Sequence, residues 1–291
     1  MRKIVIGILT RVSGNVNANE VDGDRIRIKK MISTTGEVYP FVSARAIKRG
    51  IRERFTEYGF ETDPFRAGEG NKLADSGDPI KYIDNDLFGY LYIKGNNQLP
   101  RVAPISMSPL IAVKHTPVKI DFGGRFPKTP GESNPTPFEI EIADFVGLLK
   151  VVVTERCGVF SLSERTDKEK NWNEYIQDGL LEEESSNKLK LTDNERIRRV
   201  KAFLKILLKD GWAYPRRANN FAMAEHKAVI VYAGSKLYPV WKQADNDNYI
   251  FIKPQFDDDT QVMLETYTFP EKEVDENTIE KLANWLVEGI W

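Results

Sequence analysis

The chain has 291 residues, 41% of them hydrophobic and 29% charged, with a formal net charge of -1, which describes a globular protein with a sizeable core and gives no overall sign of a polyanionic partner. Its single cysteine, Cys157, excludes an intramolecular disulfide and a cysteine-built metal site, and reads as a small packed residue. No apolar run approaches the roughly 20 residues of a membrane helix, so no membrane association and a soluble, reducing, cytoplasmic setting are expected.

KIVIGILTRV, at the start, is β-branched and apolar, the pattern of a strand buried on both faces and not of a signal peptide. NVNANEVDGD follows as a polar loop, and RIRIKKMIS alternates basic and apolar residues as a half-exposed strand or hairpin arm does. Pro40 bars a helix upstream, and Ser43 stands at an N-cap position. The spacing of Ala44, Ile47, Ile51, Phe55 and Tyr58 predicts a helix over 44–58 that stops at Gly59. Residues 61–85, rich in Gly, Asp and Pro, read as an insertion, followed by the short apolar piece DLFGYLYI. RVAPISMSPLIAVKH and FEIEIADFVGLLKVVVTE read as strands. Between them, residues 116–137 carry five prolines and three glycines, which suits a long hairpin with an irregular tip. Polar, acidic residues 161–192 lead to a predicted helix over 193–209, capped by Asp193 and ended by Gly211. WAYPRRANNFAMAEH is then a loop and KAVIVYA a strand. The tail adds a strand pair, YIFIK with QVMLETYTF, and a final helix over about 271–291.

This order is the split βαββαβ of ferredoxin-like and RRM-like folds, an α+β class in one domain over 1–291 with insertions. Two helices are expected to cover one face of the antiparallel sheet and leave the other available.

Charge is uneven: residues 1–60 hold 12 Lys/Arg against 6 Asp/Glu. At about 100° per residue, Arg45, Lys48, Arg49 and Arg52 share a narrow sector beside the apolar stripe, with no acid inside it. One reading is a solvated face. The other is a phosphate-binding face, because like charges at these spacings repel by a few tenths of a kcal/mol and a polyanion turns that cost into a gain through counterion release. Ser43 and the first-turn N–H groups would add phosphate contacts. The loop groups Arg216 and Arg217 with Asn219 and Asn220 among Trp212, Tyr214 and Phe221, which suits single-stranded nucleic acid and equally an Asn-rich turn. Asn15, Asn17 and Asn19 either bond ribose or phosphate or make turns.

Signatures of catalysis are lacking: His115 and His226 lie on separate segments, and HExxH, GxSxG, P-loop and dinucleotide motifs do not occur. Asp22 and Asp24 either make Asx turns or act on a phosphodiester with a metal or water. No cofactor is expected.

In order, NVNANEVDGDR, YPFVSARAIKRGIR, DLFGYL, SMSPLIAVKHTPVKIDFGGRF and RRANNFAMAEH resemble one family over nearly the whole chain. It is the Cas-seven family, the backbone subunits of type I CRISPR surveillance (Cascade) complexes, with the DevR branch of type I-B systems the most similar in length and texture. The resemblance implies an RRM-like palm with a finger or web insertion at 61–100 and a long thumb hairpin whose tip spans 114–137. It implies a non-catalytic subunit that stacks with copies of itself along crRNA, presents the guide for pairing with target DNA, and meets the small and large Cascade subunits. Carried over by residue, it implies guide contacts by Asn17, Ser43, Arg45, Lys48, Arg49 and Arg52, and by Arg216, Asn219, Asn220 and Phe221. Phe122 and Phe126 would wedge at a kinked nucleotide, and Met107 could pack on a base. Ala44-Arg45 stands where many members carry Ser-Gln, so a backbone contact by glutamine is absent or replaced there. Related type III subunits cut target RNA with a loop Asp, which makes Asp22 or Asp24 the enzymatic rival; a solitary RNA-binding regulator is the third reading.

Overall fold

The computed structural model describes the chain except residues 17–19, 68–72, 95–96, 130, 132, 162–171, 215–220, 244–248 and 252–260. Lys3–Gly14, the expected first strand, lies at the centre of a mixed α/β structure made mostly of strands. It pairs antiparallel with Thr136–Thr154 on one side and Glu225–Gly234 on the other. Met263–Thr268 extends the sheet past Glu225–Gly234. On the far side, Ile105–Met107 and Leu110–Ala112 pair with Thr136–Thr154, and Val38–Val42 and Lys30–Ile32 follow. The four expected palm strands therefore stand in the spatial order 225–234, 3–14, 136–154, 105–112.

Alternation of side chains sorts this sheet into two faces. Ile4, Ile6 and Ile8 enter one core with Ile47, Ile51 and Phe55 of the first helix, Val200 and Phe203 of the second, and Leu282 and Leu286 of the last. Val5, Ile230 and Tyr232 point the other way, beneath Tyr238, Val240, Trp241 and Phe251. The face expected to be bare is thus partly roofed. Gly7 makes room for the roof, since a Cβ there would lie 3.2 Å from both the Phe251 and Trp241 rings.

Local chemistry moves several expected boundaries. The first helix, Ala44–Phe55, tightens into a 3₁₀ turn, Thr56–Tyr58, before Gly59 (φ 73°) ends it. The second, Asp193–Lys205, is capped by Thr192, whose Oγ1 accepts the Glu195 N–H at 3.4 Å, and not by Asp193. Asp193 instead opens the helix and pairs with Arg196 at 2.8 Å. A wider turn, Ile206–Asp210, closes it before Gly211. The last helix, Glu276–Glu288, starts later than expected because Asp275 caps it, accepting the Thr278 N–H at 2.7 Å. The single strand expected over 101–115 is broken at Ser108-Pro109. Met107 faces Val151 but Ile111 faces Leu148, so one extra residue bulges there. Nor do the tail strands pair with each other: Tyr249–Phe251 joins Trp241–Gln243, whereas Met263–Thr268 joins the main sheet.

Two further features position the candidate site. Ile83–Phe88 is a short helix with every residue buried, and its Ile83, Leu87 and Phe88 reach the main core. Beyond Ala143 the long strand leaves the main sheet and continues as a ribbon with Lys119–Arg125, in register from Lys119 opposite Ile142 to Arg125 opposite Thr136, and Arg25–Arg27 pairs parallel to its root at Glu139 and Ile140.

Candidate nucleic-acid interface

The first helix begins as an anion-seeking end. Ser43 Oγ accepts the Ala46 N–H at 3.3 Å, and no acid occupies the first turn. Three sides of this helix are occupied. Ile47, Ile51 and Phe55 face the core. Gly50 lies against the segment leading into the 215–220 loop, so closely that a Cβ would stand 2.2 Å from the Ala213 oxygen. Arg54 Nη1 donates to the Asp210 and Gly211 carbonyls at 2.6 and 2.7 Å. The fourth side carries the basic sector.

Its four cations divide into two pairs. Arg45 is exposed and makes no ion pair with the described residues. Arg49, also exposed, pairs with Glu53 at 3.0 Å. This corrects the expectation of a sector without acids: Glu53, one turn on, reaches in from its edge. An exposed i, i+4 pair is worth only about 0.3–0.5 kcal/mol, so a phosphate can compete for Arg49. Lys48 is half-buried, its ammonium 5.2 Å over the Phe88 ring; burial, and then the neighbouring Arg52 charge, lower its pKa. Arg52 reaches Asp84, a fully buried carboxylate, at 2.8 Å and lies 4.7 Å over the Phe65 ring. Burial raises the Asp84 pKa against the pull of Arg52, and Asp84 Oδ1 accepts the Asp63 N–H at 2.9 Å. Arg45 and Arg49 thus form the outward part, while Lys48 and Arg52 hold the inserted segment.

Asn17, Arg216, Asn219 and Asn220 lie outside the described residues. The loop's flanks are joined as a neck, with the Tyr214 N–H donating to Ala222 O at 2.9 Å and the Ala224 N–H to Trp212 O at 3.0 Å. Phe221 is exposed on that neck. Trp212 and Tyr214, grouped with it as stacking aromatics, are instead buried against each other, and Trp212 also packs on His226. His226 Nε2 lies 2.8 Å from Leu207 O, and burial lowers its pKa, which favours a neutral structural ring. His115 Nδ1 accepts the Val38 N–H at 2.8 Å.

On the ribbon, Phe122 and Phe126 are 71% and 75% exposed. The Phe126 ring covers Gly124, and Phe138 covers Gly123. The ribbon's root is clamped by two carboxylates on one side of the long strand: Glu139 pairs with Arg25 at 2.5 Å, and Glu141 with Lys30 at 2.7 Å. Glu141 also accepts the Ile28 N–H at 3.0 Å. Burial pushes its pKa up, but the Lys30 hydrogen bond and the Ile28 N–H more than offset this, leaving it below the usual range. Asn15, a candidate ribose or phosphate contact, is buried, and its Nδ2 donates to Glu141 O at 2.6 Å. Met107 packs partly against the helix-side core.

Asp22 pairs with Arg27. Among the described residues no group of three or more His, Cys, Asp or Glu is placed to hold a metal ion, and no described helix is long and apolar enough to cross a membrane.

Asp86, which no sequence pattern singles out, organises the neighbourhood of the insertion. Fully buried, it meets Arg101 at 2.7 Å, Arg199 at 3.0 Å and the Gly158 N–H at 2.9 Å. Arg199 also donates to Pro79 O at 2.8 Å and Ile80 O at 2.5 Å, so this network ties the insertion to the second helix.

A chain of a solved structure titled "CRISPR RNA-guided surveillance complex" superposes with a TM-score of 0.53 at 13% identity, over 99% of both chains. Another, titled "CRISPR RNA-guided surveillance complex, pre-nicking", gives a TM-score of 0.46 at 12% identity, over 79% of this chain and 75% of that one. The fold is therefore that of a CRISPR complex subunit. The profile described as "DevR: CRISPR-associated negative auto-regulator DevR/Csa2" matches residues 12–254, and the chain belongs to that CRISPR-associated family. No curated protein matches the sequence.

Proposed function

We propose that this protein is a non-catalytic guide-RNA-binding backbone subunit of a type I, and specifically I-B, CRISPR surveillance complex. Copies of it stack along crRNA, present the guide for pairing with target DNA, and contact the small and large subunits in the cytoplasm. The observation that carries this reading is the outward Arg45–Arg49 surface on a Ser-capped helix packed on the root of the 215–220 loop. The spatial strand order 4-1-3-2 of the βαββαβ succession supports a ferredoxin-like, RRM-like palm. On it, 61–100 serve as finger or web and 114–137 as the thumb tip, with Phe122 and Phe126 free to wedge between bases.

Guide-RNA affinity measured between about 50 and 200 mM salt tests the reading, because each phosphate of a single strand that the protein no longer neutralises lowers the log–log slope by about 0.7. Replacing Arg45 and Arg49 with Ala should weaken binding and flatten that slope while the melting temperature holds. Unchanged affinity and slope would refute the assignment. Divalent-metal-dependent cutting of complementary RNA, abolished by Asp22→Ala or Asp24→Ala, would instead favour a target-RNA endonuclease.

A further inference from the structure

The sheet face opposite the basic helix is only half roofed. Tyr238, Val240, Trp241 and Phe251 cover Val5, Ile230 and Tyr232. Beside them, over Ser106, Ser108, Lys150 and Val152, a groove of about 480 Å³ remains, walled on its other side by Tyr238 and Trp241. That volume lies within the roughly 300–1,000 Å³ of small-molecule sites. Strand pairing explains the alignment: Ser106 stands opposite Val152, and Val152 opposite Val5, on one side of the sheet.

The groove's chemistry narrows its occupant. Lys150 places its ammonium 5.2 Å from the Trp241 ring centroid, and it makes no ion pair with the described residues. Among the described residues no carboxylate lines the walls. Ser106 is exposed at the rim, and Ser108 sits at the bulge, its Oγ accepting the Lys150 N–H at 3.0 Å. An apolar peptide segment entering here would cover an unpaired ammonium, which costs free energy. A nucleotide matches every wall: its base has flat faces for the aromatic and apolar surfaces, and its phosphate provides the missing counter-charge.

We infer that this groove is a second nucleic-acid contact, holding one unstacked base of single-stranded RNA between the Trp241–Tyr238 wall and the sheet, with Lys150 on its phosphate. This rests on the RNA-binding reading above and adds to it a site on the opposite face from the basic helix.

The test uses the full chain with a short oligouridylate, ultraviolet crosslinking with peptide mapping, and affinity measurement. Crosslinks are expected on the peptide containing Tyr238 and Trp241. Lys150→Gln should weaken binding, and so should Ser106→Phe, which fills the groove from its exposed rim without touching the core. Losing one stacked base corresponds to a fall of about 5- to 150-fold. No crosslink at that peptide, or Lys150→Gln and Ser106→Phe binding like wild type while the Arg45/Arg49 double variant does not, overturns the groove and leaves the guide-binding reading standing. A wild-type chain that binds no RNA defeats both. If Ser106→Phe alters self-association in the absence of RNA, the groove is a protein interface and the inference falls.

Discussion

Arg52 and Asp84 illustrate how one side chain can be drawn away from a surface it was expected to serve. The Asp84 carboxylate is fully buried, and its ion pair with Arg52 at 2.8 Å lacks a well-aligned hydrogen bond. Removing the cation leaves a buried charge, which typically costs about 3–5 kcal/mol. Arg52→Met should therefore lower stability in urea titrations at neutral pH. The pH dependence follows from the direction of the Asp84 shift. Its pKa is raised on folding from 3.8, so its contribution is fully present below that value and is lost as pH rises through the higher folded pKa. Without Arg52 the shift grows, so the deficit of Arg52→Met should narrow as pH falls toward 4. A deficit independent of pH would show that Arg52 acts through packing on Phe65 instead. Asp86→Ala, which strands Arg101 and Arg199, should cost a similar 3–5 kcal/mol. None of this is legible from spacing, because buried ion pairs between distant segments leave no period in a sequence.

At the scale of elements, apolar periodicity was legible and chain pairing less so. Ile47, Ile51 and Phe55 face the core as their spacing requires, and Gly59 stops the turn. Thr192 was missed as a cap because Asp193 beside it is an equally good capping residue by type. YIFIK and QVMLETYTF do not pair with each other, because a short apolar run does not specify which neighbouring strand it joins; Tyr249–Phe251 joins Trp241–Gln243. The first helix permits a sharp test of its packing. Gly50→Ala raises intrinsic helix propensity by about 1 kcal/mol, yet its Cβ would meet the Ala213 oxygen at 2.2 Å. The net effect should be destabilising by about 1–3 kcal/mol, read as a lower melting temperature; a gain would show that the 210–214 segment yields easily. In the ribbon, Glu141 is depressed from 4.5, so its contribution exists above that value and is lost as pH falls through the folded pKa. Glu141→Gln should be less stable than wild type near pH 7 and converge with it in acid. Phe122→Ala and Phe126→Ala, both exposed, should leave stability within about 0.5 kcal/mol while weakening RNA binding.

For the whole molecule, the succession of strands and helices was readable because each has its own hydrophobic period, and the strand-rich mixed architecture follows from it. The roof over Val5, Ile230 and Tyr232 was not, since nothing in YPVW or YIF says which sheet face these residues will cover. Under the proposed function, protein and guide RNA together should sediment as a multimer whose size grows with RNA length, with nuclease protection repeating at a fixed interval. A single copy per RNA regardless of length would favour a solitary regulator. The central position of Lys3–Gly14 has one more consequence. Its two sheet partners begin at Thr136 and Glu225, so during synthesis the first strand leaves the ribosome long before either neighbour exists. At about 5–20 residues per second, the stretch KIVIGIL waits roughly 10–40 s for Glu225–Gly234 to be made. So apolar a stretch stays without its sheet partners over that interval, and the yield should respond to translation speed and growth temperature more than the final stability would suggest.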